Sequence, residues 1–202
     1  MRHGHSAVAR GAIAIALLLV GASAEAHLES TGMGPVYDGA LHFLTSPEDL
    51  VPALALALLA GLRGADHGRR VLFTLPVAWL LGSLAGLGAA STSVGLLGAA
   101  LWFLLLGGLV VFDARLSRGA VTALAALLGL FHGYLNGSGM VFTLQAVVAM
   151  AGLAAGVFVV VALGTAAVVP MRAAWARIAV RVGGSWIAAS GLLMLGWSMR
   201  GG

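Results

Sequence analysis

Six apolar runs, separated by short polar loops, occupy most of this 202-residue chain beyond residue 47. They fall near residues 48–62, 71–90, 94–112, 120–135, 145–169 and 182–199. No other feature constrains the fold as strongly, because a chain with 60% hydrophobic and 9% charged residues cannot clothe a water-facing surface, which ordinarily takes about 25% charged residues. The pattern predicts an all-α fold, a polytopic membrane bundle of six transmembrane helices. A soluble globular enzyme, a disordered tail and a nucleic-acid binder are excluded. The pI near 11.1 reflects a net charge of only +4, and the Arg are scattered between apolar runs rather than gathered into a basic stripe. The absence of Cys and Lys removes disulfides, thiolate metal sites, cysteine nucleophiles and Schiff-base chemistry.

Residues 1–26 read as a secretory signal peptide. Arg2 and Arg10 form a basic n-region, Ala12 to Ala22 an apolar core, and Ala24-Glu25-Ala26 a small-x-small cleavage site. That core is too short to cross roughly 30 Å of hydrocarbon as a helix; the alternative is an uncleaved first anchor. Cleavage makes His27 the mature N-terminus, where its α-amine and imidazole can chelate a metal together; the plainer reading is a solvated His. Residues 27–46 then form a periplasmic segment in which Val36 to Leu44 suits a short interfacial or re-entrant helix, and 47–202 form the six-helix transmembrane domain. Ser46-Pro47-Glu48-Asp49 reads as a helix start, with Ser46 as N-cap, Pro47 in the first turn and two carboxylates at the positive end of the dipole. Pro170 ends the fifth span.

The Arg set the orientation. Arg63, Arg69 and Arg70 lie between spans one and two, Arg115 and Arg118 between three and four, and Arg172, Arg177 and Arg181 between five and six. The intervening loops, Ser91-Thr92-Ser93 and Asn136-Gly137-Ser138-Gly139, carry none. The positive-inside rule places the Arg loops in the cytoplasm and both mature termini in the periplasm of a bacterial inner membrane. Gly82/Gly86 and Gly152/Gly156 are G-x-x-x-G pairs, expected to serve close packing within the bundle.

Ionisable residues at membrane depth need a reason. Glu29, Asp38, His42, Glu48 and Asp49 fall on the outer side with His27, and His132 lies near the outer end of span four, followed by Tyr134 and Asn136. On helices, Asp38 and His42 share a face, as do His132 and Asn136. His42, Glu48, Asp49 and His132, with Asp38, Asn136 and His27, are therefore the candidate metal ligands of a pocket open to the periplasm. Nitrogen and oxygen donors suit Ni, Co, Zn or Mn rather than soft copper(I). Plainer readings stand beside these: Glu48 and Asp49 as helix caps, and His132 bonded to a backbone carbonyl. Asp66-His67 reads as a solvated turn, Asp113 as a cap or a partner of Arg115, and Met140 and Met150 as packing.

With these residues in hand, the chain resembles the HupE/UreJ family of hydrogenase- and urease-associated membrane proteins over the whole mature length. The family's L-H-P-L-S-G-x-D-H stretch corresponds to Leu41-His42-Phe43-Leu44-Thr45-Ser46-Pro47-Glu48-Asp49. Its L-P-x-A-x-x-x-G run corresponds to Leu75-Pro76-Val77-Ala78-Trp79-Leu80-Leu81-Gly82, and its F-H-G-H-A-H-G to Phe131-His132-Gly133-Tyr134-Leu135-Asn136-Gly137. The resemblance implies a nickel or cobalt permease, with His42, His132 and Glu48 at ligand positions, and nickel-enzyme maturation or energising membrane proteins as partners. This chain departs from the pattern: Asp49 stands in place of His, Tyr134 and Asn136 replace two more His, Gly139 stands where an acidic residue often follows, and span five has no His. Two further readings compete: a non-transporting membrane scaffold, and a rhomboid-like intramembrane serine protease built on Ser138. The second lacks a His downstream of Ser138 to act as base, so no catalytic activity is expected.

Overall fold

The computed structural model describes residues 31–91 and 95–200. The expected signal peptide, His27, Glu29, Thr92 and Ser93 lie outside them. Among the described residues the chain forms seven helices and no strand: α1 (Pro35–Thr45), α2 (Pro47–Arg63), α3 (Ala65–Gly86), α4 (Gly95–Val111), α5 (Arg118–Gly137), α6 (Leu144–Val168) and α7 (Ala174–Ser198). Helices α2 to α7 overlap the six apolar runs, but α3 begins at Ala65 and α7 at Ala174, ahead of the expected 71 and 182, so that Arg69, Arg70, Arg177 and Arg181 lie on helices rather than in loops; α1 forms where a short helix is expected.

Length and apolarity qualify α5, α6 and α7 singly as membrane spans, and the bent pair α1–α2 makes a fourth. Helix α3 opens on Asp66, Arg69 and Arg70, and α4 has only 17 residues, which at 1.5 Å per residue is about 26 Å. Side chains left exposed by the bundle, among them Phe73, Leu163, Trp186 and Leu193, form an apolar exterior suited to lipid.

Local chemistry sets the helix ends. Pro35 and Pro47 occupy first-turn positions, where a missing N–H costs nothing. Ser46 sits at the N-cap of α2 as expected, but its side chain makes no capping bond; the extended residue instead turns the chain by 76° between α1 and α2. A single residue, Gly64, joins α2 to α3 at φ 104°, a conformation that side chains disfavour. Helix α6 stops at Val168, just before Pro170.

Packing rests on glycines. In α3 and α5, Gly82 and Gly86 face the backbone of Leu130 and Tyr134, while Gly129, Gly133 and Gly137 face that of Leu75, Trp79 and Ser83. In α6, Gly152 and Gly156 receive α1 at Val36 and Phe43. Both G-x-x-x-G pairs thus serve contacts inside the bundle. The fully buried core joins Phe43, Leu56, Leu59, Trp79, Leu106, Leu128 and Val157 from α1 to α6, with Phe43 edge-on to Trp79 at 5.6 Å.

Arg63, Arg69, Arg118 and Arg177 meet two carboxylates at one end of the bundle, whereas Arg200 follows the far end of α7. Asp113, between α4 and α5, pairs with Arg63 of α2 and with Arg177 of α7, the latter at 3.2 Å. These take the place of the expected partner, Arg115, because helix packing brings them to the carboxylate. Asp66 is solvated as expected, but it lies in the first turn of α3 rather than in a loop, paired with Arg69 and with Arg118 at 3.5 Å. Asp113 adopts φ 49°, a left-handed conformation that Asn also tolerates, so Asp113→Asn removes charge without adding strain. The Arg63 side chain is only 11% exposed. Loss of its counter-charge is expected to lower stability by about 2 kcal/mol, read as a shift in the unfolding midpoint of protein in mild detergent.

Candidate functional site

At the opposite end, a cavity of about 520 Å³ lies among α1, α2, α4, α5, α6 and α7. His42, Glu48, Asp49, His132 and Asn136 all line it. These five expected ligands come from positions up to 94 apart (42 to 136), and the fold brings them to one space.

Three side chains clamp the fourth in a fixed chain of hydrogen bonds. The Trp79 indole Nε1 donates to Asn136 Oδ1 at 2.8 Å. Indole can only donate, so the amide is oriented with its Nδ2 toward Asp49, to whose Oδ2 it donates at 2.9 Å. Asp49 Oδ1 lies 2.8 Å from His132 Nδ1. With Asp49 as a carboxylate, Nδ1–H is the donor and the lone pair of the ring resides on Nε2. That nitrogen is buried and has no hydrogen-bond partner. Asp49 and His132 are each about 2% exposed, so neither is the solvated cap or simple interfacial residue of the plainer readings.

The ring is also held sterically. Trp79, Phe131 and Trp102 surround it, with centroids at 5.3, 5.2 and 6.3 Å. A carboxylate on one imidazole nitrogen and an unpartnered lone pair on the other is the arrangement that orients histidine as a metal ligand. The Gly contacts between α3 and α5 make it feasible: they bring Trp79 and the His132–Asn136 turn to within hydrogen-bonding reach.

The remaining expected ligands are placed differently. Glu48 is exposed at the cavity mouth and His42 is half-buried. Asp38 faces an adjoining cavity, where its Oδ1 accepts from the Thr31 N–H and hydroxyl, both at 2.6 Å. Among the described residues no three His, Cys, Asp or Glu side chains meet closely enough to hold a metal ion by themselves. His27 lies outside the described residues.

Two groups of residues at the site carry little signal in the sequence. Trp79 looks like one more apolar residue in a hydrophobic run; a lone indole opposite an amide-bearing turn is the available clue. Met140, Met150 and Met194 also line the cavity. Coming from the α5–α6 turn, α6 and α7, they share no helical spacing. Ser138, at the cavity wall, donates its hydroxyl to the Leu135 carbonyl at 2.8 Å.

No curated protein and no solved structure matches the chain. The profile of one family, described as HupE / UreJ protein, matches residues 15–194, from before the first described helix to near the end of the last. The buried imidazole, its carboxylate and the Leu75–Gly82 run all lie within the matched region, and the chain belongs to the HupE/UreJ family.

Proposed function

We propose that this membrane protein is a permease, or an uptake accessory, for a divalent transition metal of the nickel/cobalt type. The observation that carries the reading is the buried His132 in the wall of a cavity, held at Nδ1 by Asp49 and left without a partner at Nε2. In this reading all six helices α2 to α7 cross a bacterial inner membrane. The Arg-bearing end lies in the cytoplasm, both mature termini in the periplasm, and the cavity opens outward. Glu48 and His42 at the mouth attract the hydrated cation, and His132 Nε2 replaces one of its waters. Asp49, Asn136 and Trp79 position the imidazole rather than bind metal. Zn or Mn is served by the same donors. The partners are the bilayer and, on the cytoplasmic side, nickel-enzyme maturation or energising proteins.

Cells expressing the chain are expected to accumulate Ni(II) or Co(II) above a vector control, with His132→Ala returning the level to that control. Accumulation by His132→Ala equal to wild type would overturn the reading. The lack of a third carboxylate or imidazole near His132 among the described residues favours one alternative, a non-transporting scaffold; wild-type accumulation at the vector level would support it. A serine-protease role draws no support from Ser138, whose hydroxyl bonds a carbonyl instead of a base. We assign no catalytic function.

A further inference from the structure

Met140, Met150 and Met194 line the same cavity as His132, whose buried Nε2 has no hydrogen-bond partner, and this juxtaposition points to a second cargo. We propose that the cavity binds a soft monovalent cation, Cu(I), through thioether sulfurs and His132 Nε2. The inference rests on the reading above only in treating the cavity as a transition-metal site.

The donor count supports it. With no trio of His, Cys, Asp or Glu available among the described residues, a cation that reaches His132 must complete its coordination from other groups. The chain contains no Cys, so thioethers are its only sulfur donors, and three of its seven Met line this one cavity. They come from three separate elements, and Met150 is 3% exposed. Unbranched Met side chains can swing several ångströms to converge on a guest. Thioether and imidazole together select Cu(I), a soft ion content with few ligands.

Charge balance points the same way. The inner cavity wall is largely apolar, with Leu96, Ala99 and Leu153 beside the thioethers. Desolvation cost rises with the square of the charge, so a divalent ion is penalised roughly four times as heavily as a monovalent one of the same size. One buried carboxylate, Asp49, lies at that depth and Glu48 stays exposed at the mouth. Asp49 alone neutralises a monovalent ion, whereas a divalent ion at His132 also calls on the charge of Glu48. Both cations require His132 Nε2, so they compete.

Calorimetric titration of the purified full chain with Ag(I), a redox-inert analogue of Cu(I), tests the proposal. One saturable site per chain is expected. The triple variant Met140→Leu/Met150→Leu/Met194→Leu, which nearly conserves volume, should weaken Ag(I) binding by about 100-fold, with Ni(II) affinity unchanged. Met194→Leu alone, at a half-buried position, should lower it about tenfold and guards against misfolding of the triple variant. Met33→Leu and Met199→Leu, at exposed positions outside the cavity, should have no effect. Wild-type Ag(I) affinity in the folded triple or single cavity variant would overturn the proposal while leaving a His132-dependent Ni(II) site standing. Met-dependent Ag(I) binding without Ni(II) binding would uphold it and remove the nickel reading instead.

Discussion

An Asp49→Asn variant is expected to fold and yet lose its cation. The substitution is nearly isosteric, and the new carboxamide is constrained from both sides. Trp79 holds Asn136 with its amide NH2 toward residue 49, so the oxygen of the new carboxamide must accept there. Its NH2 then faces His132 Nδ1, where a carboxylate oxygen stands in the wild type. Nδ1 is forced to accept, the ring proton moves to Nε2, and a donor N–H replaces the unpartnered lone pair. Loss of such an orienting partner typically costs about 10–100-fold in metal affinity. Here the tautomer itself is reversed, so the upper end of that range or beyond is expected.

Asp49→Ala should behave differently, because it leaves the imidazole and the Asn136 amide without partners. Breaking a buried pair from one side costs about 3–5 kcal/mol, so this variant is expected to unfold early as well as to bind poorly. Unfolding midpoints and metal titrations on the two variants separate the effects. Metal binding by a folded Asp49→Asn protein at wild-type strength would show that Nε2 is not the ligand.

The two variants also mark where sequence reading stops. Alternation of apolar runs with Arg-bearing stretches located the apolar bodies of α2 to α7, because hydropathy is local, but not the starts of α3 and α7, whose first turns are polar helix carrying Arg69, Arg70, Arg177 and Arg181. Ser46-Pro47 and Pro170 located helix ends, because capping and proline chemistry are local as well. Pairing between helices is not local. Asp49 and His132 are 83 residues apart, and Trp79 and Asn136 are 57 apart; nothing in either neighbourhood states that they meet. The same limit sent Asp113 to Arg63 and Arg177 instead of to nearby Arg115, and turned Asp38 toward Thr31. The set His42, Glu48, Asp49, His132 and Asn136 was legible because each is an expensive residue near one membrane face. The methionines were not, because a thioether at membrane depth costs nothing and so draws no attention.

Gly133→Ala is expected to cost about 3 kcal/mol or more, at or above the upper end for overpacked interiors. A Cβ at Gly133 would overlap the Trp79 carbonyl oxygen, and that oxygen belongs to helix backbone and cannot rotate away. Relief requires α5 to move off α3. The movement is opposed along the whole seam, since Gly82 and Gly86 from one side and Gly129 and Gly137 from the other also rest on facing backbone. It would also pull Asn136 from Trp79 and swing His132, the residue adjacent to the substitution, away from Asp49. Stability and metal binding should therefore fall together, unlike in Asp49→Asn, where they separate. Gly108→Ala, Gly183→Ala and Gly196→Ala supply the control: a Cβ there meets open space, and alanine in a helix is favoured over glycine by about 0.5–1 kcal/mol. Thermal melts in mild detergent should rank Gly133→Ala far below wild type and those three at or slightly above it. If Gly133→Ala melted with the controls, the α3–α5 seam could not be what holds the imidazole in place.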